Sequence, residues 1–342
     1  MRTIPVASAL GAAFLFGAST PAAKTLVGEV HPVLLAGLLY AGSGLGLGVW
    51  FVAGKRRAAL ARGDLPWLLG AVLAGGVIAP VLLMVGLAAT SAASASLMLN
   101  LEGVFTALLA WFAFRENFDR RIAFGMALIV AGGALLAFEP GALRGGYLGS
   151  LAVAGACLAW SIDNNLTRKV SSADPAAIAA IKGIVAAAVN LAIAGALGAA
   201  WPAPATAAAA ACVGLLGYGV SLVLFVVALR DLGAARTSAY FSTAPFVGVA
   251  LALFALGEAP TPLFWPAAVL MLAGVWLHVS ERHEHVHVHE PMEHEHSHVH
   301  DEHHRHAHEP AWDGREPHVH AHRHARLAHR HPHYPDIHHR HH

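Results

Sequence analysis

The feature that most constrains the fold of this chain is a long apolar run that returns in a second copy. Residues 90–121 form an apolar run of membrane-spanning length that ends in a charged corner containing Glu116. The same plan recurs 142 positions later, where Glu258 corresponds to Glu116 and Gly274 corresponds to Gly132. A repeat of this length predicts a protein built from two similar halves.

Composition places both halves in a membrane. The chain has 342 residues, of which 56% are hydrophobic and only 13% are charged, and its mean hydropathy is +0.55. Too few ionic residues precede residue 281 to give a soluble domain of this size a charged exterior. Uncharged runs close to the ~20 residues that cross a bilayer recur throughout that part. We therefore expect an all-α integral membrane protein whose N-terminal run is an uncleaved first span.

Ten spans are predicted, five in each half. The first five-helix repeat is assigned to residues 1–140 and the second to residues 145–280, followed by a tail at residues 281–342. Because five is an odd number, the second repeat must enter the membrane in the opposite sense, an inverted-topology arrangement typical of secondary transporters. The expected spans are residues 4–27, 33–53, 67–89, 92–114, 122–138, 147–167, 175–199, 207–229, 237–256 and 263–279.

Basic residues predict the orientation of the spans. They cluster in every second connection, whereas the opposite side carries little beyond Lys24 and Arg144. Positive-inside counting then predicts that the basic connections and both termini are cytoplasmic, in a cell (inner) membrane. The clustered residues are Lys55, Arg56, Arg57, Arg62, Arg115, Arg120, Arg121, Arg168, Lys169, Arg230 and Arg236.

Three stretches of the sequence carry a family resemblance. The corner after span four, FRENFDRRIAFGMALIVAGG, and the corner after span nine, LGEAPTPLFWPAAVLMLAG, together with FLFGASTPAAK in span one, resemble the EamA-type permeases of the drug/metabolite transporter superfamily. Over residues 1–280 this resemblance implies ten spans in two tandem repeats, cytoplasmic ends, and export or uptake of a small organic metabolite. The chain departs from the pattern in span four, where Leu101, Glu102 and Gly103 stand in place of a proline such as Pro245 in span nine.

Glu102 is the leading candidate for chemistry because it is an acid near the middle of a predicted span. Insertion of a carboxylate there costs roughly 2.5–3.5 kcal/mol, so the side chain should face a cavity or a partner. Reversible protonation, and hence proton-coupled exchange, is one role; direct contact with a cationic or hydroxylated substrate is another. The structural alternative is a protonated glutamate that bonds to a neighbouring helix. The matching position of the second half holds Ala244, so this acid breaks the internal symmetry.

Three further polar residues complete the predicted substrate or proton site. Asp163 and Asn164 lie in an otherwise apolar sixth span, and Lys182 is the lysine placed deepest in an apolar run. Lys182 is predicted to be a counter-ion of Glu102 or Asp163, or to bind an anionic group of the substrate. The structural alternatives are an interfacial ion pair for Asp163 and a lysine that extends to the membrane surface.

The tail has an abruptly different composition. All but two of the 25 histidines follow Arg282, in an alternating pattern with carboxylates. Its low apolar content predicts disorder, and its many imidazoles favour Zn, Ni or Co over Mg or Ca, in several weak sites. The alternatives are a solvated low-complexity tail or one that responds to pH. The predicted ligands are His283, His285, His287, His289, His294, His296, His298 and His300.

Together these observations predict a secondary transporter rather than an enzyme. Neither a nucleophile elbow nor a phosphate-binding loop occurs in the sequence, and no cofactor is required by it. The expected partners are a small-molecule substrate and the lipid bilayer, without nucleic acid and with oligomerisation left open. One alternative is a transition-metal exporter whose tail collects Zn, Ni or Co. A second is a membrane sensor that transports nothing.

Overall fold

A computed structural model describes most of the chain before the tail and four segments within the tail. The described residues are 3–53, 62–114, 120–137, 147–167, 170, 175–279, 284–289, 292–298, 318–324 and 327–332. Up to residue 279 they form helices joined by short connections. The helices of the first half are α1 (Thr3–Val27), α2 (Pro32–Ala53), α3 (Leu65–Ala71), α4 (Ala79–Ala89), α5 (Ala92–Met98), α6 (Leu101–Phe114) and α7 (Arg120–Ala137).

The second half repeats this series. Its helices are α8 (Leu148–Thr167), α9 (Pro175–Ala196), α10 (Pro204–Gly214), α11 (Ser221–Phe241), α12 (Ala244–Phe254) and α13 (Phe264–Val279). A short 3₁₀ helix, Arg62–Asp64, precedes α3. A π-helical segment, Val72–Ile78, joins α3 to α4, and another, Leu215–Val220, joins α10 to α11.

Seven helices among the described residues are long and apolar enough to cross a membrane, and two shorter apolar helices are Ala244–Phe254 and Phe264–Leu277. The helix of the sixth predicted span, α8, is not one of the seven, because its last turns carry polar residues such as Asp163 and Asn164. The all-helical membrane bundle is thus confirmed, whereas the count of ten spans stays a prediction. The seven are Pro5–Val27, Pro32–Ala53, Leu65–Ala89, Ala92–Leu109, Arg120–Ala137, Ala176–Ala196 and Pro204–Ala228.

The connection between spans eight and nine lies within the stretch Ser221–Phe241 that forms α11. The sequence predicts it at residues 230–236 because of their charges. Phe225 and Phe241 contact each other with ring centroids 4.9 Å apart, whereas a straight helix would separate residues so placed by about 24 Å. The chain therefore turns back between these two residues, where the sequence predicted the connection.

Both halves are interrupted at matching places. The π-helical segments end at Ile78 and at Val220, which are 142 positions apart. The fourth span breaks between Met98 and Leu101, and the corresponding break of the second half lies between Phe241 and Ala244, 143 positions later. The internal repeat is therefore visible in backbone irregularities as well as in sequence.

The helices of the two halves interlock. The first helix of the first half, α1, packs against α11 and α12, and the first helix of the second half, α8, packs against α4 and α6. Two like pairs, α2 with α9 and α7 with α13, also join the halves. Most of the buried side chains, including Leu35, Leu83 and Met98, belong to one continuous apolar cluster.

Glycines in α2 allow its close approach to the second half. A Cβ atom on Gly44 would meet the backbone of Gly183 and Ile184 in α9, and one on Gly42 would meet the backbone of Ala211 in α10. Small residues at such crossings let helix backbones pack directly.

We expect Gly44→Ala to lower the free energy of unfolding by about 1–3 kcal/mol, because the added methyl group has no room between α2 and α9. Gly195→Ala, in α9, is the matched control, since no atom lies within reach of its Cβ. That variant should be neutral or gain about 0.5–1 kcal/mol of helix stability. Unfolding in mixed detergent micelles measures both; equal effects would contradict the close packing.

The tail differs from the expectation of disorder in its four described segments. These are the strands β1 (Glu284–His289), β2 (Met292–His298), β3 (His318–His324) and β4 (Leu327–Pro332). β1 pairs with β4 and β2 with β3, both antiparallel. Alternation of histidine with other residues has the two-residue period of a strand, which the compositional argument for disorder ignored. The remaining residues of the tail, with His283 and His300, lie outside the described part.

Candidate functional site

The break in the fourth span positions Glu102. Residues 99–100 interrupt the helix, and the Leu97 carbonyl accepts from both the side chain of Asn100 at 2.8 Å and its backbone amide at 3.2 Å. Glu102 follows in the first turn of α6, with its amide bonded to the Leu99 carbonyl at 3.1 Å. The amino end of a helix favours negative charge. The break forms here without the proline that the second half has after its own break.

Glu102 is held by neutral groups from α8. Its Oε1 accepts a hydrogen bond from Asn164 Nδ2 at 2.8 Å, and its backbone carbonyl accepts one from Ser161 Oγ at 2.9 Å. The carboxyl group is half-buried, and the described side chains place no cation against it. Lys182 is thus not its counter-ion.

Asp163 and Lys182 form an ion pair instead. Lys182 Nζ lies 2.5 Å from Asp163 Oδ1 and 2.7 Å from Oδ2, and it also donates to Thr167 Oγ1 at 3.3 Å. Thr167 Oγ1 in turn donates to Asp163 Oδ1 at 2.8 Å. The sequence predicted this counter-ion as one of two alternatives. The adjacent residues Asp163 and Asn164 of α8 bind different partners. Asp163 binds Lys182 of α9 and Asn164 binds Glu102 of α6, so α8 connects these two helices.

The first π-helical segment contributes backbone acceptors beside this pair. Tyr40 OH donates to the Gly75 carbonyl at 2.7 Å, and Trp160 Nε1 donates to the same oxygen at 3.1 Å. Asn190 Nδ2 donates to the next carbonyl, that of Gly76, at 3.0 Å. None of these three donors was predicted from the sequence; the adjacent glycines Gly75 and Gly76 are the signal that could have indicated a close approach here.

Gly75 also contacts Asp163. A Cβ atom at Gly75 would collide with the Asp163 carboxylate, so a glycine is needed where the π-helical segment passes the ion pair. Tyr40 binds the carbonyl of the same glycine, and Asn164, next to Asp163, binds Glu102. These contacts place Tyr40, Glu102 and the ion pair in one neighbourhood of the bundle.

Aromatic rings continue from Tyr40 into the second half. Tyr40 stacks on Tyr218 with ring centroids 5.6 Å apart, and Tyr218 meets Phe16 edge-on at 6.1 Å. Phe16 contacts Phe241 at 5.4 Å, and Phe241 contacts Phe225 at 4.9 Å. An apolar, aromatic surface therefore adjoins the polar groups, which is the composition of a small-molecule site.

Asp163 and Lys182 both lie in the second half, and the corresponding positions of the first half hold neutral residues. Lys182 corresponds to Tyr40, 142 positions earlier, and Asp163 corresponds to Ser19, 144 positions earlier, which is the offset between Lys24 and Arg168 in the same spans. Gly217 corresponds to Gly75, and it contacts Ser19 as Gly75 contacts Asp163. The two halves thus build the same framework, and the ion pair occupies it in only one of them.

Six of the eight predicted metal ligands of the tail lie in two strands, and His283 and His300 lie outside the described residues. His285, His287 and His289 belong to β1, and His294, His296 and His298 belong to β2. The strand registers place histidine opposite histidine in five pairs. Among the side chains that the structure describes, which include none from the tail, no group of three or more His, Cys, Asp or Glu could hold a metal ion. The five pairs are His285 with His331, His287 with His329, His294 with His322, His296 with His320, and His298 with His318.

Comparison with known proteins agrees with the predicted resemblance. The chain matches the EamA-like transporter family over residues 3–138 and again over residues 147–280. It is 30% identical over 291 residues to an uncharacterized transporter of Methanothermobacter thermautotrophicus (strain Delta H), covering 79% of this chain and 84% of that protein. A solved crystal structure with 21% identity superposes with a TM-score of 0.57 over 81% of this chain and 96% of its own, which supports the fold. The chain belongs to the EamA-like transporter family and is a multi-pass membrane transporter.

Proposed function

We propose that this protein is a secondary active transporter of a small organic metabolite, working by alternating access between two five-helix repeats of inverted topology. The interlocked halves and the interruptions at matching positions support this arrangement. Broken helices in corresponding places of two repeats are typical of transporter binding sites near the membrane midplane. Each repeat crosses the membrane five times in this proposal.

The observation that carries a proton-coupled mechanism is the environment of Glu102. Its carboxyl group is half-buried in a membrane span, bonded to the neutral amide of Asn164 and free of any described cation. Asp163, by contrast, is already neutralised by Lys182. An acid with a neutral partner gains or loses a proton without breaking an ion pair, so Glu102 is the group suited to couple proton and solute movement.

Proton coupling is tested on purified protein in liposomes. A mixture of amines, amino acids, sugars, organic acids and divalent metal ions is offered outside, with a pH difference imposed across the membrane. We expect accumulation of an organic solute that follows the sign of the pH difference. Accumulation of metal ions alone would support the metal-exporter alternative, and no flux of any solute would support the sensor.

The orientation belongs to the same proposal. With the basic connections on the inner side, both termini and the tail are cytoplasmic, in the cell membrane. Two hydrogen bonds support this orientation, because each joins two connections that it places on the outer side. Glu29 accepts from Thr206 Oγ1 at 3.2 Å, and Glu258 accepts from the Ala92 amide at 2.8 Å. This end carries few basic residues and faces outward in our proposal.

The tail is proposed to bind transition metals apart from the transport path. Deletion of residues 282–342 should lower the amount of Zn²⁺ or Ni²⁺ that the protein binds at least tenfold, because it removes 23 of the 25 histidines. Organic solute flux should remain unchanged. Equilibrium dialysis and liposome flux measure the two properties; loss of flux with the tail would connect the tail to transport.

A further inference from the structure

The connection between the third and fourth spans is a tight turn between two helix ends. α4 ends at Ala89, and α5 begins at Ala92 with Ser91 as its N-cap. Ser91 Oγ accepts a hydrogen bond from the Ser94 amide at 3.0 Å. The carboxyl end of one helix and the amino end of the next thus lie side by side, each with backbone groups that lack helical partners.

Lys24 binds the carboxyl end of α4. Its Nζ donates to the Leu87 carbonyl at 2.5 Å and to the Thr90 carbonyl at 2.7 Å. Lys24 lies in the last turn of α1, so it reaches across from another span. A cation is favoured there because the carboxyl end of a helix carries partial negative charge.

Glu258 binds the amino end of α5. Its two carboxylate oxygens accept from the amides of Ala92 and Ala93, each at 2.8 Å. Glu258 belongs to the second half of the chain and the two amides to the first, so this contact joins the halves. Lys24 and Glu258, which carry opposite charges, thus bind the two sides of one turn.

We propose that Lys24 and Glu258 form a latch that holds this end of the bundle closed and that must release when the end opens. The contacts of Glu258 join the second repeat to α5 of the first, and these separate when the two repeats rock. The contacts of Lys24 join α1 to α4 within the first repeat and hold the turn to which Glu258 binds. The latch rests on the alternating-access cycle proposed above, and it identifies the contacts that stabilise one of the end states.

The native cysteines allow the latch to be tested without any solute. Cys157 is buried beside the break in span four, with its thiol 3.6 Å from the Met98 carbonyl, and Cys212 is exposed. In a Cys212→Ser background, Cys157 is the only thiol. The protein is placed in liposomes with known orientation, and a membrane-impermeant thiol reagent is added from one side at a time.

Glu258→Gln should raise the labelling rate of Cys157 about tenfold from the face that carries the latch, because hydrogen bonds to a charged group are the strong ones. Labelling from the opposite face should not rise. Lys24→Met should act in the same direction, and Lys24→Arg should keep the original rate. Glu29→Gln is the matched control, since Glu29 is an exposed acid at the same end.

An unchanged labelling rate in Glu258→Gln would overturn the latch. An equal rise from both faces would also overturn it, because the carboxylate would then be a general stabiliser of the bundle. If the protein transports solute but fails this labelling test, the latch proposal is wrong and the proposed transport function stands. If the variants are labelled selectively from one face but the protein transports no solute, the latch proposal stands and the result contradicts the proposed transport function.

Discussion

Glu102→Gln is expected to lower pH-driven solute flux by about 100-fold or more, the scale on which loss of a proton-transferring group acts. Glutamine keeps the shape of the side chain and can still bond to Asn164, but it cannot take up or release a proton. Exchange of labelled for unlabelled solute, with no pH difference, should persist, because that exchange needs no net proton movement. Both fluxes are measured in the same liposomes.

The control for this prediction is Glu29→Gln, which removes an exposed acid at the end of the bundle and should leave both fluxes unchanged. A variant at Asn164 extends the test. Asn164→Ala removes the only described side-chain donor to Glu102, so we expect a changed pH dependence with flux retained. If Glu102→Gln kept the pH dependence of the native protein, the proton-coupling proposal would be wrong.

Lys182→Met is expected to cause the largest loss of stability, about 3–5 kcal/mol, because it leaves the Asp163 carboxylate buried without a counter-ion. The side chains of Lys182 and Asp163 are only 17% and 8% exposed, so water cannot compensate for the lost charge. Asp163→Asn should cost less, since the long Lys182 side chain can turn toward an interface. Unfolding in mixed micelles measures both variants.

The double variant Asp163→Asn, Lys182→Met separates the ion pair from simple packing. If the pair acts as a unit, the double variant should recover much of the stability that Lys182→Met loses, because no unpaired charge remains. The matched control is Lys24→Met, which removes an ammonium bound to backbone carbonyls and leaves no buried acid behind. Additive losses at positions 163 and 182 would contradict the coupling.

The sequence predicted the membrane bundle and the positions of most helices, because apolar runs and their length depend on local composition alone. It did not predict the π-helical segment Val72–Ile78, since that stretch has the same apolar composition as the α-helix around it. It did predict the connection between Phe225 and Phe241, where charged residues interrupt the apolar run and the chain turns back. The irregularities depend on packing between helices, which composition does not encode.

The candidate site, too, could be predicted from the sequence only in part. Glu102, Asp163 and Lys182 stand out in the sequence because a charge in an apolar run is rare and costly. Their partners could not be read from it, because a sequence shows which residues share a helix but not which helices are neighbours. Tyr40 and Trp160 were missed for a further reason: an aromatic residue in a span gives no signal until its hydroxyl or indole group is seen to bind the Gly75 carbonyl.

The paired π-helical segments also carry a record of descent. A π-helical turn holds one residue more than the α-helix that it interrupts, and such a turn is rare. Such turns at matching positions of the two halves are what duplication of one five-helix unit would leave. Within this shared framework Tyr40 and Lys182 occupy corresponding positions, so a charge can be present in one half without its copy in the other.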